Sequence, residues 1–289
     1  MVPRGTGVDY IIESSHKCDD MEEDTLMEQW TDRDARQTAA RSEYEHIMTT
    51  LSPDPMSAYI EAGVIGFVFG EMWRRGILTQ RDRRWITLSC LGAVDAAYPI
   101  ETHVWAALNS GDVTNEEFDE FVLHFATQLG WPKASVLTAS GMLSMIKIAE
   151  ERGEVLSPLD FAPWADPVTP EERHRRGEAA YQEVQGSSPP PPITAFRRDA
   201  YLDYLYGEIW TRDRYLTRRD RRIISICCSA AVGVDTEVRE HIAAALAHEE
   251  LTYEELQELV VHFAVYVGWV LGRRLDDALI EVAAERGLL

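Results

Sequence analysis

The chain contains the same unit of about 120 residues twice. The segment Phe69–Trp73 returns 137 positions later as Tyr206–Trp210, and the segment Leu78–Arg84 returns 138 positions later as Leu216–Arg222. From the arginine-rich segment onward the offset stays at 138, so one residue has been inserted after Trp210. A tandem repeat of this length indicates a duplicated domain, which constrains the architecture before any secondary structure is predicted.

Helical patterns cover nearly the whole chain, and no segment has the pattern of a strand. Thr79 and Thr217 each stand three residues before an aspartate, and Thr114 and Thr252 each stand three residues before a glutamate. These spacings are typical of capping boxes at helix N-termini. The apolar segments that follow the two arginine-rich motifs predict a buried central helix in each copy.

The repeat divides the chain into four parts. We expect an acidic N-terminal segment over residues 1–31 whose composition allows disorder, a first helical repeat over 32–150, a linker over 151–167 and a second helical repeat over 168–289. The expected fold is all-α, with the two helical units packed face to face about a pseudo-twofold axis.

Charge and hydrophobicity exclude several classes of partner. The net charge is −21, with a concentration of carboxylates between residues 13 and 28. Such an acidic surface repels nucleic acid and anionic membranes, so we expect neither as a partner. The sequence has no run of about 18 apolar residues and no basic-then-apolar signal sequence, which favours a cytoplasmic location.

The four cysteines, Cys18, Cys90, Cys227 and Cys228, do not form a C-x-x-C pair beside a histidine. Cys90 and Cys228 are repeat equivalents inside apolar helices, where a cysteine is most simply a small buried hydrophobe. This distribution disfavours both a disulfide and a zinc site.

Taken in order, the motifs of each copy resemble those of a known family. An aromatic residue with Gly-Glu-x-Trp is followed by Leu-Thr-x-Arg-Asp-Arg, a central apolar helix, a histidine before Ala-Ala-Leu, a Thr-x-Glu-Glu cap, and His-Phe-Ala ahead of Gly-Trp. This order is similar to that of the carboxymuconolactone decarboxylase family, in the alkyl hydroperoxidase-like all-α superfamily. The resemblance covers roughly residues 32–150 and 168–285.

The resemblance implies an all-helical unit that assembles, in single-unit chains, into hexameric rings of dimers. A chain with two units is then expected to form a homo-oligomer, either a trimer of two-repeat chains or a dimer.

The departures from the family are also informative. The hydroperoxidase branch carries a C-x-x-C whose second cysteine lies four residues before the histidine, but here those positions hold Ala96 and Pro99 in copy one and Val234 and Glu237 in copy two. Thiol peroxidase activity is therefore not expected. The branch's glutamate is replaced by arginine in both copies, at positions 84 and 222.

The candidate catalytic residues are His103, His241, Glu237 and Glu101. A histidine can move a proton near neutral pH, and in the decarboxylase branch an acidic residue commonly lies four positions before it. Glu237 fits that position, whereas copy one offers Glu101 only two residues before its histidine. Copy two is therefore the better candidate for acid–base chemistry.

The candidate substrate-binding residues are Arg83, Arg221, His124, His262, Trp131 and Trp269. An arginine can anchor a carboxylate or an enolate, and the second pair of histidines can complete or orient the site. Each has an alternative interpretation. The arginines can form ion pairs between the repeats, His124 can be a hydrogen-bonded core histidine, and the tryptophans can be core or pocket wall.

The sequence and the resemblance together predict a lyase or isomerase that uses acid–base chemistry, without a cofactor or a metal, on a small cyclic carboxylate, lactone or ketone. The alternative is a non-catalytic ligand-binding or assembly protein that kept the fold.

Overall fold

The computed structural model describes residues 32–164 and 166–289. These residues form twelve helices and, within the same two ranges, no β-strand. In copy one, α1 to α6 span Arg33–Met48, Tyr59–Met72, Gln80–Ala93, Ala97–Ser110, Asn115–Leu129 and Trp131–Arg152. In copy two, α7 to α12 span Pro170–Gln185, Phe196–Ile209, Arg218–Ala231, Asp235–Ala247, Tyr253–Val267 and Trp269–Glu285. The predicted duplicated all-α fold is confirmed, while the acidic segment and Cys18 lie outside the described residues.

Four of these helices begin at the capping boxes that the sequence predicts. At α3, the Thr79 side chain accepts a hydrogen bond from the Asp82 amide, and the Asp82 side chain accepts one from the Thr79 amide. The same capping box begins α5, α9 and α11. α3 and α9 are buried over most of their length, as the apolar pattern predicts. None of the described helices is both long and apolar enough to cross a membrane.

α2 and α8 are wound more widely than an α-helix. Their backbone hydrogen bonds run from residue i to i+5, so the Trp73 amide donates to the Val68 carbonyl and the Trp210 amide to the Leu205 carbonyl, both at 3.0 Å. Long π-helical segments are rare, and π-helical geometry occurs frequently at functional sites. The sequence analysis did not predict this winding.

The two copies meet through α3 and α9 and share one apolar core. Arg81 donates to the Asp220 carboxylate at 3.1 Å, and Arg219 donates to the Asp82 carboxylate at 3.0 Å. Apolar side chains of both copies form a single buried cluster around these helices. Reciprocal contacts of this kind are those that a pseudo-twofold axis produces.

Equivalent ion pairs also locate the inserted residue of copy two. Arg75 pairs with Glu258 at 2.8 Å, and Arg212 pairs with Glu120 at 2.8 Å. Arg75 and Arg212 are 137 positions apart, whereas Leu78 and Leu216 are 138 apart. The extra residue therefore lies between Arg212 and Leu216, a few positions beyond Trp210.

Candidate functional site

A cavity of about 370 Å³ opens in copy two between the C-terminal end of α5, α8, α9 and α10. It is large enough for a small-molecule ligand. The aromatic side chains in its wall are Trp131, Phe196, Tyr201, Tyr204, Tyr206 and Trp210. Gln128, Glu237 and His241 are its main polar residues, and none of the described residues in the lining is lysine or arginine. The cavity therefore favours an uncharged ring over an anion.

His241 lies on α10 with its ring almost fully buried. Its Nδ1 is 2.8 Å from an Arg222 guanidinium nitrogen, which can only donate, so Nδ1 accepts. Arg222 is itself held by Glu250 at 2.6 Å. Burial, and then the charge of Arg222, hold the pKa of His241 well below its usual range. The ring is therefore neutral with its proton on Nε2, and it can act as a hydrogen-bond donor.

Glu237 lies one turn before His241 on α10, and both side chains line the cavity. Burial, with a smaller contribution from the nearby Glu240 charge, raises the pKa of Glu237 above its ordinary value. A carboxylate with a raised pKa is a stronger base than one in water. A group in this position can take a proton from a ligand in the cavity.

Trp210 supplies a buried donor beside His241. Its ring stacks on His241 with 5.8 Å between ring centroids, and the Arg222 guanidinium carbon lies over the Trp210 ring, 5.0 Å from its centroid, as a cation–π partner. The indole Nε1 is buried and finds no hydrogen-bond partner among the residues that the structure describes. A buried donor without a partner costs about 1–3 kcal/mol, so an acceptor on a ligand would relieve this cost.

The equivalent place in copy one is filled by a tyrosine. Trp73 stacks on His103 at 6.3 Å, and its Nε1 donates to the Tyr266 hydroxyl at 2.8 Å. Tyr266 is the repeat equivalent of Gln128, so the larger side chain occupies in copy one the position that Gln128 leaves open in copy two.

Copy one also lacks the carboxylate that precedes the histidine in copy two. Pro99 stands at the position of Glu237. His103 Nδ1 and Arg84 Nη1 are both buried without a partner in the described ranges, although their equivalents in copy two are hydrogen-bonded to each other. Burial, and then Arg84, lower the pKa of His103 to about 3. His103 therefore lacks both a carboxylate one turn before it and the arginine hydrogen bond that His241 has.

Arg83, Arg221, His124 and His262 lie in a buried network between the copies. Arg83 pairs with Glu258 at 3.1 Å and donates to His262 Nδ1 at 3.1 Å. The symmetric network pairs Arg221 with Glu120 at 2.7 Å and with His124 Nδ1 at 3.2 Å. None of the four lines the copy-two cavity. This placement agrees with the ion-pair and core-histidine alternatives.

Both histidines of the network have partners on both ring nitrogens. Because the arginines donate to Nδ1, the proton of each histidine lies on Nε2. His262 Nε2 donates to Thr87 Oγ1 at 2.9 Å, and His124 Nε2 donates to Ser225 Oγ at 3.0 Å. Each histidine thus joins helices of the two copies.

The remaining candidates are separated in space. Trp131 lines the copy-two cavity, whereas Trp269 lies beside Phe67 in a different groove, with 5.8 Å between their rings. Glu101 is exposed and lines a groove with Lys147 that does not include His103. Of the predicted site residues, the cavity brings together His241, Glu237 and Trp131.

Sequence reasoning missed Trp210 as a donor, Arg222 as the residue that orients His241, and the exchange of Gln128 for Tyr266. The available signal was the difference between the copies at positions 128 and 266. This difference could be interpreted only with the fold, because Tyr266 contacts Trp73 of copy one and Gln128 lines the copy-two cavity.

The described cysteines, Cys90, Cys227 and Cys228, are buried. Burial raises the pKa of the Cys227 and Cys228 thiols well above the usual range. Since the thiolate is the reactive form, Cys227 and Cys228 are poor nucleophiles.

The comparisons with known proteins agree with this architecture. The sequence model of the carboxymuconolactone decarboxylase family matches residues 60–140 and 198–279. One match falls in each copy, and together they cover more than half of the chain. A search of curated proteins gave no match to the sequence. The chain belongs to the carboxymuconolactone decarboxylase family, as a member that carries the family's helical unit twice.

Proposed function

We propose that the protein is a cofactor-independent isomerase that moves a proton next to the carbonyl of an uncharged cyclic ketone or lactone. The supporting observation is the convergence of Glu237, His241 and Trp210 in one aromatic cavity of copy two. The three supply a base of raised pKa, a neutral imidazole donor and an unpartnered indole donor.

In the proposed reaction, the Glu237 carboxylate removes a proton from the carbon between the carbonyl and a double bond. The electron pair moves onto the carbonyl oxygen and gives a dienolate. Nε1–H of Trp210 and Nε2–H of His241 donate to that oxygen. The carboxylic acid of Glu237 then returns the proton to the far carbon, so a β,γ-unsaturated carbonyl becomes its conjugated isomer with no net gain or loss of atoms.

The environment favours this chemistry in two ways. Glu237 works best when its pKa approaches that of the carbon acid, and burial moves it in that direction. Donors that are already fixed in a cavity of low polarity stabilise a developing oxyanion, and each contributes on the order of 10²–10³ in rate.

The lining also supports isomerisation over decarboxylation. A substrate carboxylate would enter a cavity whose described wall has no cation, while Arg83 and Arg221 already pair with Glu258 and Glu120. Burying an unpaired anion is costly. Among the substrates that the sequence allows, ketones and lactones are therefore favoured over carboxylates.

The test uses a β,γ-unsaturated cyclohexenone and the β,γ-unsaturated lactone α-angelica lactone in deuterated water. We expect the protein to accelerate both conjugation, read by ultraviolet absorbance, and deuterium incorporation next to the carbonyl, read by NMR. Glu237→Gln should lower both rates by at least about 10³-fold, because the base is lost.

Glu240→Gln is the matched control, since it removes an exposed carboxylate from the same helix and should keep most of the activity. Rates that are unchanged in Glu237→Gln would overturn the proposal. Binding of the ketone without any exchange would instead support the ligand-binding alternative.

A further inference from the structure

In copy one, a side-chain ring occupies the place that corresponds to the copy-two cavity. In copy one, the Tyr266 ring lies with its edge toward His103, at 5.4 Å between centroids, and its hydroxyl accepts from Trp73 Nε1 at 2.8 Å. Burial raises the pKa of Tyr266, so its phenol is neutral. A six-membered ring with one oxygen thus satisfies the Trp73 donor of copy one and packs against His103.

The same groups in copy two have the same arrangement without the ring. Trp210 stacks on His241 as Trp73 stacks on His103, and His124 meets the Trp210 ring edge-on at 5.2 Å as His262 meets Trp73 at 4.9 Å. Gln128 replaces the tyrosine, the cavity opens, and Trp210 Nε1 has no partner in the described part of the chain.

We infer that the copy-two cavity binds a planar six-membered ring bearing a single oxygen, a phenol or a cyclic enone, in the pose of the Tyr266 side chain. The ring lies against His241, and its oxygen accepts from Trp210 Nε1. Gln128 is then the residue that sets specificity, because its size leaves room for the ring. This inference rests on the proposed function only for turnover; binding of the ring is independent of it.

The probe is p-cresol, which is the tyrosine side chain without its backbone, and the matched ligand is toluene, which lacks only the oxygen. Titration calorimetry of the full chain should show one p-cresol site, with toluene at least about tenfold weaker because it leaves the indole donor unpaired. Trp210→Phe should abolish this discrimination while keeping the cavity wall.

Two exchanges between the copies test the pose. Gln128→Tyr should fill the cavity and abolish p-cresol binding, and Tyr266→Gln should open a second site and give two p-cresol molecules per chain. Thermal unfolding of each variant establishes that it is folded; if Gln128→Tyr fails to fold, Trp210→Phe and Tyr266→Gln still decide the question.

Equal affinity for toluene and p-cresol, or unchanged p-cresol binding in a folded Gln128→Tyr variant, would overturn the inference. If p-cresol binds as expected but no ketone exchanges deuterium, the inference stands and the isomerase proposal fails. If ketones turn over at the same rate in Gln128→Tyr, the isomerase proposal can stand while this pose fails.

Discussion

The equivalent tryptophans of the two copies differ in their hydrogen bonding. Trp73 and Trp210 each stack on the repeat's histidine, but only Trp73 has a hydrogen-bond acceptor among the described residues. This difference in the partner of a buried indole is the observation on which we base the proposed ligand site in copy two.

Replacing Trp210 by phenylalanine tests the role of the indole donor. Trp210→Phe keeps an aromatic wall but removes the N–H that we place on the dienolate oxygen, so we expect the turnover number to fall by about 10²-fold. Trp73→Phe is the matched control, and it should lower stability by about 1 kcal/mol with little change in turnover. Equal losses of activity in both variants would contradict the assignment.

The pH dependence of turnover should report on Glu237. Burial and the Glu240 charge both raise its pKa, so the rate should rise with pH through a midpoint above the ordinary glutamate value of 4.5. Glu240→Gln removes the repulsion and should shift the midpoint to lower pH, as measured by a pH–rate profile for the ketone. A midpoint that stays in place or moves upward would show that Glu237 is not the titrating base.

At the scale of helices, copy two depends on a close contact between α7 and α8. A Cβ on Gly177 would lie 2.4 Å from the Leu202 carbonyl oxygen, which is backbone and cannot move aside easily. α8 carries Tyr201 and Tyr204 of the cavity wall and ends just before Trp210. The small residue on α7 therefore helps to fix the shape of the cavity.

Gly177→Ala should lower the free energy of unfolding by about 1–3 kcal/mol and weaken p-cresol binding, because α8 must shift to admit the methyl group. Chemical denaturation and calorimetry measure the two effects. The control is Gly63→Ala, where the added Cβ would meet only the Tyr59 ring at 4.0 Å and copy two already has Ala200. A Gly177→Ala variant as stable as this control would contradict the packing argument.

The helices illustrate which structure a sequence specifies locally. Capping boxes such as Thr79–Asp82 lie within one turn of chain, so they could be predicted. The i→i+5 winding of α2 and α8 has no such local signal and was missed. The proximity of Glu237 and His241 could be predicted because they are one turn apart on a single helix. The contact between Trp73 and Tyr266 spans 193 positions and required the fold.

For the whole molecule, the buried polar network couples the two copies. His103, His124, His241 and His262 are buried, and burial with neighbouring arginines lowers the pKa of each. In the unfolded chain these side chains titrate near 6.5. Below that pH the unfolded state binds more protons than the native state, so stability falls as pH falls.

We therefore expect the free energy of unfolding to decrease by up to about 1.4 kcal/mol per pH unit for each of these histidines as the pH falls below about 6.5. Urea unfolding at about pH 7.5 and about pH 5.5 measures the change. His103→Gln, which lies outside the proposed site, should reduce the slope by roughly a quarter. A free energy that is constant over this range would contradict the burial of neutral histidines.

The most direct test of one working site in copy two is a crystal structure of the protein with a bound phenol, which resembles the dienolate in shape. We predict one ring in the copy-two cavity, its oxygen within about 3 Å of Trp210 Nε1, its edge toward His241, and Glu237 against the ring face. In copy one, Tyr266 should remain in place. A phenol bound beside His103, or a closed copy-two cavity with Glu237 turned away from the ring, would contradict the account.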